Sequence, residues 1–156
     1  MSIKLRDLVD DDLLLFFTHQ QNESAQHMAA FISKNPDDKA AFMAHWSSIR
    51  ANDTIIIKTI LFDERVVGHV LSFIMDDQRE ISYWIDSSYW GKGIATAALS
   101  AYLEIVADRP LMGRVAKDNI ASKRVLEKCG FTVIGVGKGF ANARNAEIEE
   151  YILELA

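Results

Sequence analysis

Residues 80–99, EISYWIDSSYWGKGIATAAL, restrict the fold more than any other stretch of this sequence. The alternation of Ile81, Tyr83 and Ile85 with more polar neighbours predicts a β-strand. Gly91 and Gly93 follow, and glycine permits a sharp turn and a close approach to a ligand. From residue 94 the apolar residues repeat at helical spacing, and the first amides of a helix lack intrahelical partners at the positive end of its dipole. The stretch therefore predicts an anion site suited to a phosphate or pyrophosphate.

Length, charge and cysteine content limit the class of protein. A chain of 156 residues, 49% hydrophobic and 25% charged, is typical of one soluble domain, here residues 1–156. A net charge of −5 argues against nucleic acid as the main partner. The single cysteine, Cys129, excludes an internal disulfide and a multi-cysteine metal site. With no signal-like N-terminus and no long apolar run, we expect a cytoplasmic protein without membrane association.

Hydrophobic periodicity and turn residues give the order of elements. Strands are predicted over residues 2–8, 54–63, 65–75, 80–86, 111–117, 131–136 and 147–155. Helices are predicted from residue 10, after Asn35-Pro36, from residue 94 and from residue 119. Residues 20–34 are polar and poorly periodic, which favours a helix end followed by a mobile connector. The predicted order is β-α-α-β-β-β-α-β-α-β-β.

Two common phosphate-binding motifs do not account for the glycine turn. A Walker-type loop needs GxxxxGK[ST], which the sequence lacks. A dinucleotide motif GxGxxG would need glycine where Thr96 stands, early in a βαβ unit. A strand–helix turn without a ligand stays an alternative on this motif alone. His69 lies inside an apolar strand and is interpreted as a core histidine.

A second motif, RVAKDNIASKRVLEKCGF, follows the glycine-turn helix at residues 114–131. Together with YWIDSSYWGKGIATAAL it resembles the GNAT superfamily of acyl-CoA N-acyltransferases, in particular its RimJ/RimL-like branch. The resemblance follows the strand order over essentially the whole chain. It implies a single-domain α/β (α+β) fold with a mixed, mostly antiparallel sheet flanked by helices.

The resemblance also implies a cofactor site. The family pattern (Arg/Gln)-x-x-Gly-x-(Gly/Ala) falls on Trp90, Gly93 and Ala95, with tryptophan in the first position. Acetyl-CoA would be the donor, with no metal, its pyrophosphate on the turn and its pantetheine arm along the preceding strand. The implied cofactor-binding residues are Trp84, Ile85, Asp86, Gly91, Lys92, Gly93, Ile94, Ala95, Thr96, Asn119 and Ser122. Lys123 and Arg124 could also reach phosphates, or could simply form a solvated helix face.

The catalytic residues implied by the resemblance each have a plain structural alternative. Glu80 stands where relatives often carry a catalytic base, but it could be a strand-edge surface charge. Many relatives have a tyrosine at the position of Leu126, so the usual general acid is missing here. Ser122 could hydrogen-bond the sulfur or the cofactor, and Asn119 could contact the cofactor or cap the helix. Cys129 shares an apolar stripe and is interpreted as a packing residue.

In this family the acceptor is bound by the first two helices and the last loop. Proposed acceptor-binding residues are therefore His45, Trp46, Phe140 and Arg144, with His19 and Asn142 as further wall residues. Trp46 and Phe140 could equally serve packing. We expect an N-acetyltransferase that transfers an acetyl group to a primary amine, of a small molecule or a protein N-terminus, by direct attack in a ternary complex. The alternative is a non-catalytic acyl-CoA-binding or regulatory module, and the protein could be a monomer or a homodimer.

Overall fold

The computed structural model describes residues 2–156. Within these residues one mixed sheet is covered by helices on both faces, and a 3-10 turn (Ser87–Tyr89) follows the fourth strand. The elements in chain order are β1 (Ile3–Arg6), α1 (Asp12–His19), α2 (Glu23–Ala29), α3 (Lys39–Ala51), β2 (Ile56–Phe62), β3 (Arg65–Met75), β4 (Gln78–Ile85), α4 (Ile94–Ile105), β5 (Leu111–Ala116), α5 (Ile120–Lys128), β6 (Thr132–Ala141) and β7 (Ala146–Leu155). None of the helices in this part of the chain is both long and apolar enough to cross a membrane.

The predicted connector contains a helix that the sequence pattern did not reveal. Asn22 caps α2, because its side-chain oxygen accepts a hydrogen bond from the Ala25 amide at 2.8 Å. Ala25 is buried, whereas most other residues of α2 are partly or fully exposed. Seven residues with one fully buried position give too little periodicity for prediction, and the cap together with tertiary contacts stabilises the helix instead. The other predicted helices and strands are present, and the single-domain α/β fold is confirmed. The end predicted for the sixth strand, at residue 136, with a loop over residues 137–145, was wrong, because β6 continues to Ala141 by pairing with β7.

The strand order is β1-β2-β3-β4-β5-β7-β6, and β4 and β5 form the parallel pair. Strand β4 pairs with β3 along its whole length, from Gln78 to Ile85. Its pairing with β5 involves only the two positions Arg79–Leu111 and Glu80–Met112. Beyond residue 80 the two strands therefore diverge, and a gap opens in the middle of the sheet.

Strand alternation separates the core into two layers. On one face α4 and α5 pack against a large apolar cluster that includes Ile81, Leu99 and Leu126. On the other face α1 and α3 pack through Phe16 and Trp46. The prediction that His69 is a core residue is confirmed, since it is 5% exposed and its ring lies 4.7 Å from that of Phe16 and 5.0 Å from that of Trp46.

Asp12, the first residue of α1, is buried in a polar pocket beside β1. Arg6 donates two hydrogen bonds to its carboxylate, at 2.7 and 2.9 Å, and Thr59 and the Val9 amide donate at 2.8 and 3.0 Å. Burial alone would raise the pKa of Asp12, but the hydrogen bonds from Arg6, Val9 and Thr59 hold it below its usual value. The residue thus joins α1 to β1 and β2 as an ionised group.

Candidate active site

The glycine turn connects β4 to α4 with an open backbone. Gly91 and Gly93 both have φ of +76°, the left-handed region that a side chain disfavours. A Cβ built on either residue would have no neighbour within 4 Å, so the space in front of the turn is free. Gly93 is the N-cap of α4 and has no side chain to occupy the first amides of the helix. The predicted anion site has the required backbone geometry.

A cleft of about 570 Å³ lies in front of this turn, between α2, β4 and α5. A volume of this size is typical of small-molecule sites. Most of the predicted cofactor residues line the cleft: Trp84, Ile85, Gly91, Gly93, Ile94, Ala95, Thr96, Asn119 and Ser122. Asp86 and Lys92 do not line it. Asp86 instead accepts a hydrogen bond from the Ser88 amide at 3.2 Å and so caps the 3-10 turn.

Basic and aromatic side chains complete the walls of the cleft. Arg124 and Lys128 line it from α5, whereas Lys123 lies 4.9 Å from the centre of the Tyr151 ring. Trp90 folds back, and its indole N–H donates to the Ile85 carbonyl at 3.0 Å. This bond fixes the entry to the glycine turn against the end of β4.

Tyr83, which sequence reasoning placed only as a strand residue, is part of the site. Its hydroxyl lies 2.6 Å from the Ser122 hydroxyl of α5, in the wall of the cleft. The Ser122 amide donates to the Asn119 side-chain oxygen at 3.2 Å, so Asn119 is the N-cap of α5, and its side-chain nitrogen donates to the Met28 carbonyl of α2. Burial raises the pKa of Tyr83 to about 12, so the phenol is protonated at neutral pH. No local pattern indicated this contact, because 39 residues separate its partners.

Glu80 lies on the opposite face of β4 from Tyr83, at the last position that pairs with β5. Arg114 of β5 donates to Glu80 at 3.0 Å and to Glu150 of β7 at 3.1 Å. The Glu80 side chain is only 14% exposed. Burial raises its pKa above the usual value, the hydrogen bond and charge of Arg114 oppose that rise, and the charge of Glu150 adds to it. Glu80 is therefore a largely buried carboxylate at the point where the sheet opens.

The predicted acceptor residues are scattered rather than gathered in one wall. Trp46 is 2% exposed and packs in the core, so it has no surface to offer a substrate. His45 is exposed on α3, and neither residue lines the cleft. Phe140 is 59% exposed, and strand alternation puts it on the opposite face of β6 from Gly139, which lies against Phe31.

Arg144 instead connects the β6–β7 turn to α2, and Asn142 connects it to the segment that follows α2. Arg144 donates to both oxygens of Asp118 and, at 2.7 Å, to the carbonyl of His27. Asn142 donates to the Ile32 carbonyl at 2.7 Å. Together with Asn119, these bonds hold the C-terminal end of α2 above the cleft.

His19, predicted as a wall residue, and Cys129, predicted as a packing residue, lie near the site without lining it. His19, at the end of α1, is 8% exposed, and its Nε2 lies 3.9 Å from Asp86. Burial lowers its pKa, although the charge of Asp86 acts against this. Cys129 is partly buried with its sulfur 3.7 Å from the Thr96 carbonyl, and burial raises the pKa of its thiol. Within residues 2–156 no group of three or more His, Cys, Asp or Glu is arranged to hold a metal ion.

Residues 2–132 match the family model described as the acetyltransferase (GNAT) domain. Because the match covers most of the sequence, the chain belongs to the GNAT acetyltransferase family, as its two motifs predicted. A search of curated proteins gave no significant match.

Solved structures of the same fold cover nearly the whole chain. RimJ of Mycobacterium smegmatis, in complex with CoA-disulfide, is 22% identical, with a TM-score of 0.81 over 98% of this chain and 81% of its own. Spermidine N-acetyltransferase of Vibrio cholerae, in complex with CoA and spermine, is 17% identical, with a TM-score of 0.83 over 98% and 94%. RimL, a ribosomal L7/L12 α-N-protein acetyltransferase in complex with coenzyme A, is 18% identical, with a TM-score of 0.81 over 97% and 93%. At these identities the similarity concerns the fold.

Proposed function

We propose that this protein is an acetyl-CoA-dependent N-acetyltransferase acting on a primary amine of a small molecule or a protein N-terminus. The observation that carries the proposal is the divergence of β4 from β5 after residue 80, in front of an open glycine turn at the start of α4. This arrangement offers a cleft with an anion site at the glycine turn. Glu80 does not line the cleft but lies on the other face of β4, at the last position that pairs with β5, where it supplies a titratable carboxylate.

The cofactor would lie along β4 with its pyrophosphate on the amides of residues 91–96. The left-handed glycines leave room for phosphate oxygens, and the dipole of α4 favours their charge. The pantetheine arm would occupy the gap and hydrogen-bond the backbone near Trp84 and Ile85, which no longer pairs with β5. Arg124 and Lys128 stand where they could meet phosphate groups. Relatives of the same fold crystallised with CoA support this choice of ligand.

The reaction needs a neutral amine to attack the thioester carbonyl. A lysine-like amine has a pKa of about 10.4 and an α-amine one of about 7.7–8.0, so both are mostly protonated at pH 7. Glu80 would accept the proton that the amine nitrogen loses as it attacks, directly or through a water molecule. Its position on the face of β4 opposite the α4–α5 layer separates the side of the amine from the side of the cofactor. The amine would then attack through the gap, within a ternary complex.

The acceptor side is lined by carboxylates and small residues. Glu80, Arg114 and Glu150 lie on one face of neighbouring strands, and a Cβ on Gly137 would come within 3.5 Å of the Glu150 carboxylate. Two carboxylates around one guanidinium leave a net negative charge, which suits a cationic amine. Relatives of this fold include acetyltransferases named for a polyamine and for a protein N-terminus, and the same two acceptor types are the first to test.

Calorimetry with acetyl-CoA and a CoA-release assay over an amine panel test this function together. The panel contains polyamines, amino acids, aminoglycosides and short peptides beginning with serine or alanine. Micromolar binding with turnover of at least one amine is the expected result. Binding without turnover of any amine would favour the non-catalytic acyl-CoA module. Lack of binding would remove the proposal altogether.

A further inference from the structure

We propose that the hydroxyl of Tyr83 donates a hydrogen bond to the departing sulfur of the acyl donor, and that Ser122 is its positioning residue. The inference rests on the proposed acyl transfer and adds a residue for its second half, the departure of the thiolate. It is carried by the contact between the two hydroxyls, 2.6 Å apart in the wall of the cleft.

The position of Tyr83 along β4 places it between the glycine turn and the last position of β4 that pairs with β5. The glycine turn begins at Gly91, eight residues after Tyr83, and the pairing of β4 with β5 ends at Glu80, three residues before Tyr83. A thioester at the far end of a cofactor anchored on the turn would therefore reach the section of β4 that holds Tyr83. Since odd and even residues of a strand project to opposite faces, Tyr83 and Glu80 lie on opposite sides of this section. Glu80 would thus accept the amine proton on one side of the sheet, and Tyr83 would donate a hydrogen bond to the sulfur on the other.

Ser122 is held firmly enough to orient the phenol. Its amide is bonded to the Asn119 cap, and it lies in the first turn of α5. When the Ser122 hydroxyl donates to the Tyr83 oxygen, the Tyr83 proton can point into the cleft instead of to the Ser122 carbonyl, which lies 3.4 Å from the phenol oxygen. Hydroxyl groups rotate to suit their partners, so this direction is available without moving either side chain.

Apart from Tyr83 and Ser122, the hydroxyl groups of the cleft lie at its glycine-turn end. Tyr89 lies in the 3-10 turn with its ring 5.8 Å from that of Phe62, and Thr96 is in the first turn of α4. One helical turn after Ser122, α5 presents Leu126, which is apolar and 1% exposed. Away from the glycine turn, the hydroxyl available to donate a hydrogen bond to the sulfur is therefore the phenol of Tyr83 on β4.

The chemical step balances without transfer of the phenol proton. The neutral amine nitrogen forms a bond to the carbonyl carbon while the carbonyl π pair moves to oxygen, and the one proton that this nitrogen then loses goes to Glu80. The oxygen pair re-forms the carbonyl as the C–S bond breaks, and the C–S electron pair stays on sulfur as a thiolate that accepts the Tyr83 hydrogen bond. A thiol pKa of about 8.5 lies well below that of the phenol, so Tyr83 keeps its proton and stabilises the anion by hydrogen bonding. Solvent afterwards protonates the thiolate, and Glu80 returns its proton to solvent.

Tyr83→Phe tests the inference because it keeps the ring and removes only the hydroxyl. We expect kcat to fall by roughly 100-fold, as for loss of one oriented donor to a developing anion, with the dissociation constant of acetyl-CoA nearly unchanged. Tyr151→Phe is the matched control, since it removes a phenol outside the cleft, and we expect it to keep wild-type kcat. Ser122→Ala should lower kcat less, and the double variant should be no slower than Tyr83→Phe, because Ser122 acts through the phenol.

A second measurement separates stabilisation of the sulfur from a packing effect. The thiol of bound CoA, titrated by its ultraviolet thiolate absorbance, should have a lower pKa on the wild-type protein than on Tyr83→Phe, by about one unit. Equal thiol pKa values, or a Tyr83→Phe variant with wild-type kcat, would overturn the role of Tyr83 while leaving the acetyltransferase proposal intact. A wild-type protein that binds CoA but turns over no amine would instead contradict the acetyltransferase proposal, and the thiol titration would still decide whether Tyr83 contacts the sulfur.

Discussion

Arg144 donates two hydrogen bonds to the Asp118 carboxylate, at 2.8 and 2.9 Å, and a third to the carbonyl of His27. The Arg144–Asp118 ion pair joins the β6–β7 turn to the residue before Asn119, the N-cap of α5. The bond to His27 joins the same turn to the last turn of α2. The Asp118 pKa lies below its usual value, first because of the Arg144 hydrogen bond. These bonds hold α2 above the cleft. Arg144, which was predicted to bind the acceptor, therefore has an indirect role in the site.

Replacement of Arg144 by alanine should loosen α2. We expect faster amide hydrogen exchange in residues 23–29, a loss of about 2 kcal/mol in the free energy of unfolding, and a higher KM for the acceptor. Arg144→Lys should recover only part of this, because an ammonium cannot form the forked pair. Lys117→Ala is the control, since it breaks the more exposed ion pair between Lys117 and Glu149. Unchanged exchange in α2 of the alanine variant would show that other contacts hold the helix.

Gly93→Val should weaken acetyl-CoA binding by roughly 10- to 100-fold, or about 1.4–2.7 kcal/mol. The valine side chain would occupy the open space in front of α4 that we assign to the pyrophosphate. Gly130→Val controls for backbone strain, because Gly130 also has a left-handed φ, +98°, but lies at the end of α5. Calorimetry on both variants gives the comparison. If the two bind acetyl-CoA equally well, the phosphates lie elsewhere.

Glu80→Gln should reduce kcat at neutral pH by about 100-fold and leave acetyl-CoA affinity intact. Burial raises the Glu80 pKa, so the wild-type rate should decline on the acid side at a higher pH than an exposed glutamate would give. The glutamine variant should lack this acid limb. Glu149→Gln, which changes a half-exposed carboxylate paired with Lys117, is the control. An acid limb that persists unchanged in Glu80→Gln would exclude Glu80 as the base.

Asp12 should make folding stability depend on acid pH. Its folded-state pKa is below the unfolded value, so its contribution is fully present above about pH 4 and is lost as the pH falls through the lower folded value. Asp12→Asn should lose about 3 kcal/mol at pH 7 and show a flatter acid dependence in urea denaturation. Asp11→Asn, at the exposed neighbouring position, should retain the wild-type profile. A steep acid loss in Asp12→Asn would assign the effect to other carboxylates.

The sequence predicted those parts of the fold that local chemistry determines. The strand–glycine–helix pattern located the turn at Gly91 and Gly93, because left-handed backbone and helix periodicity are both local properties. The helix α2 was missed, since Asn22 as cap and a single fully buried alanine leave little periodic signal.

The chemistry of the site was harder to predict, because it depends on pairs distant in sequence. Glu80 could be identified as a candidate from its motif, but its burial and its partner Arg114, 34 residues away, depend on strand register. Tyr83 looked like an ordinary strand residue because nothing near it in sequence points to Ser122. Trp46 was predicted to bind the acceptor but packs in the core. From sequence alone, an aromatic residue on a helix stripe fits a substrate-site wall and a hydrophobic core equally well.

The gap between β4 and β5 has a consequence for the stability of the protein. Backbone groups of β4 that face β5 beyond residue 80 lack the strand partner that the rest of the sheet provides. On the proposed function, the amides of the pantetheine arm would pair with these groups as an additional strand would. The sheet would then be completed by acetyl-CoA, which leaves as CoA after the reaction. Mass action then links the thermal midpoint of unfolding to the cellular concentrations of acetyl-CoA and CoA. Each turnover would include a brief period in which the central sheet is split.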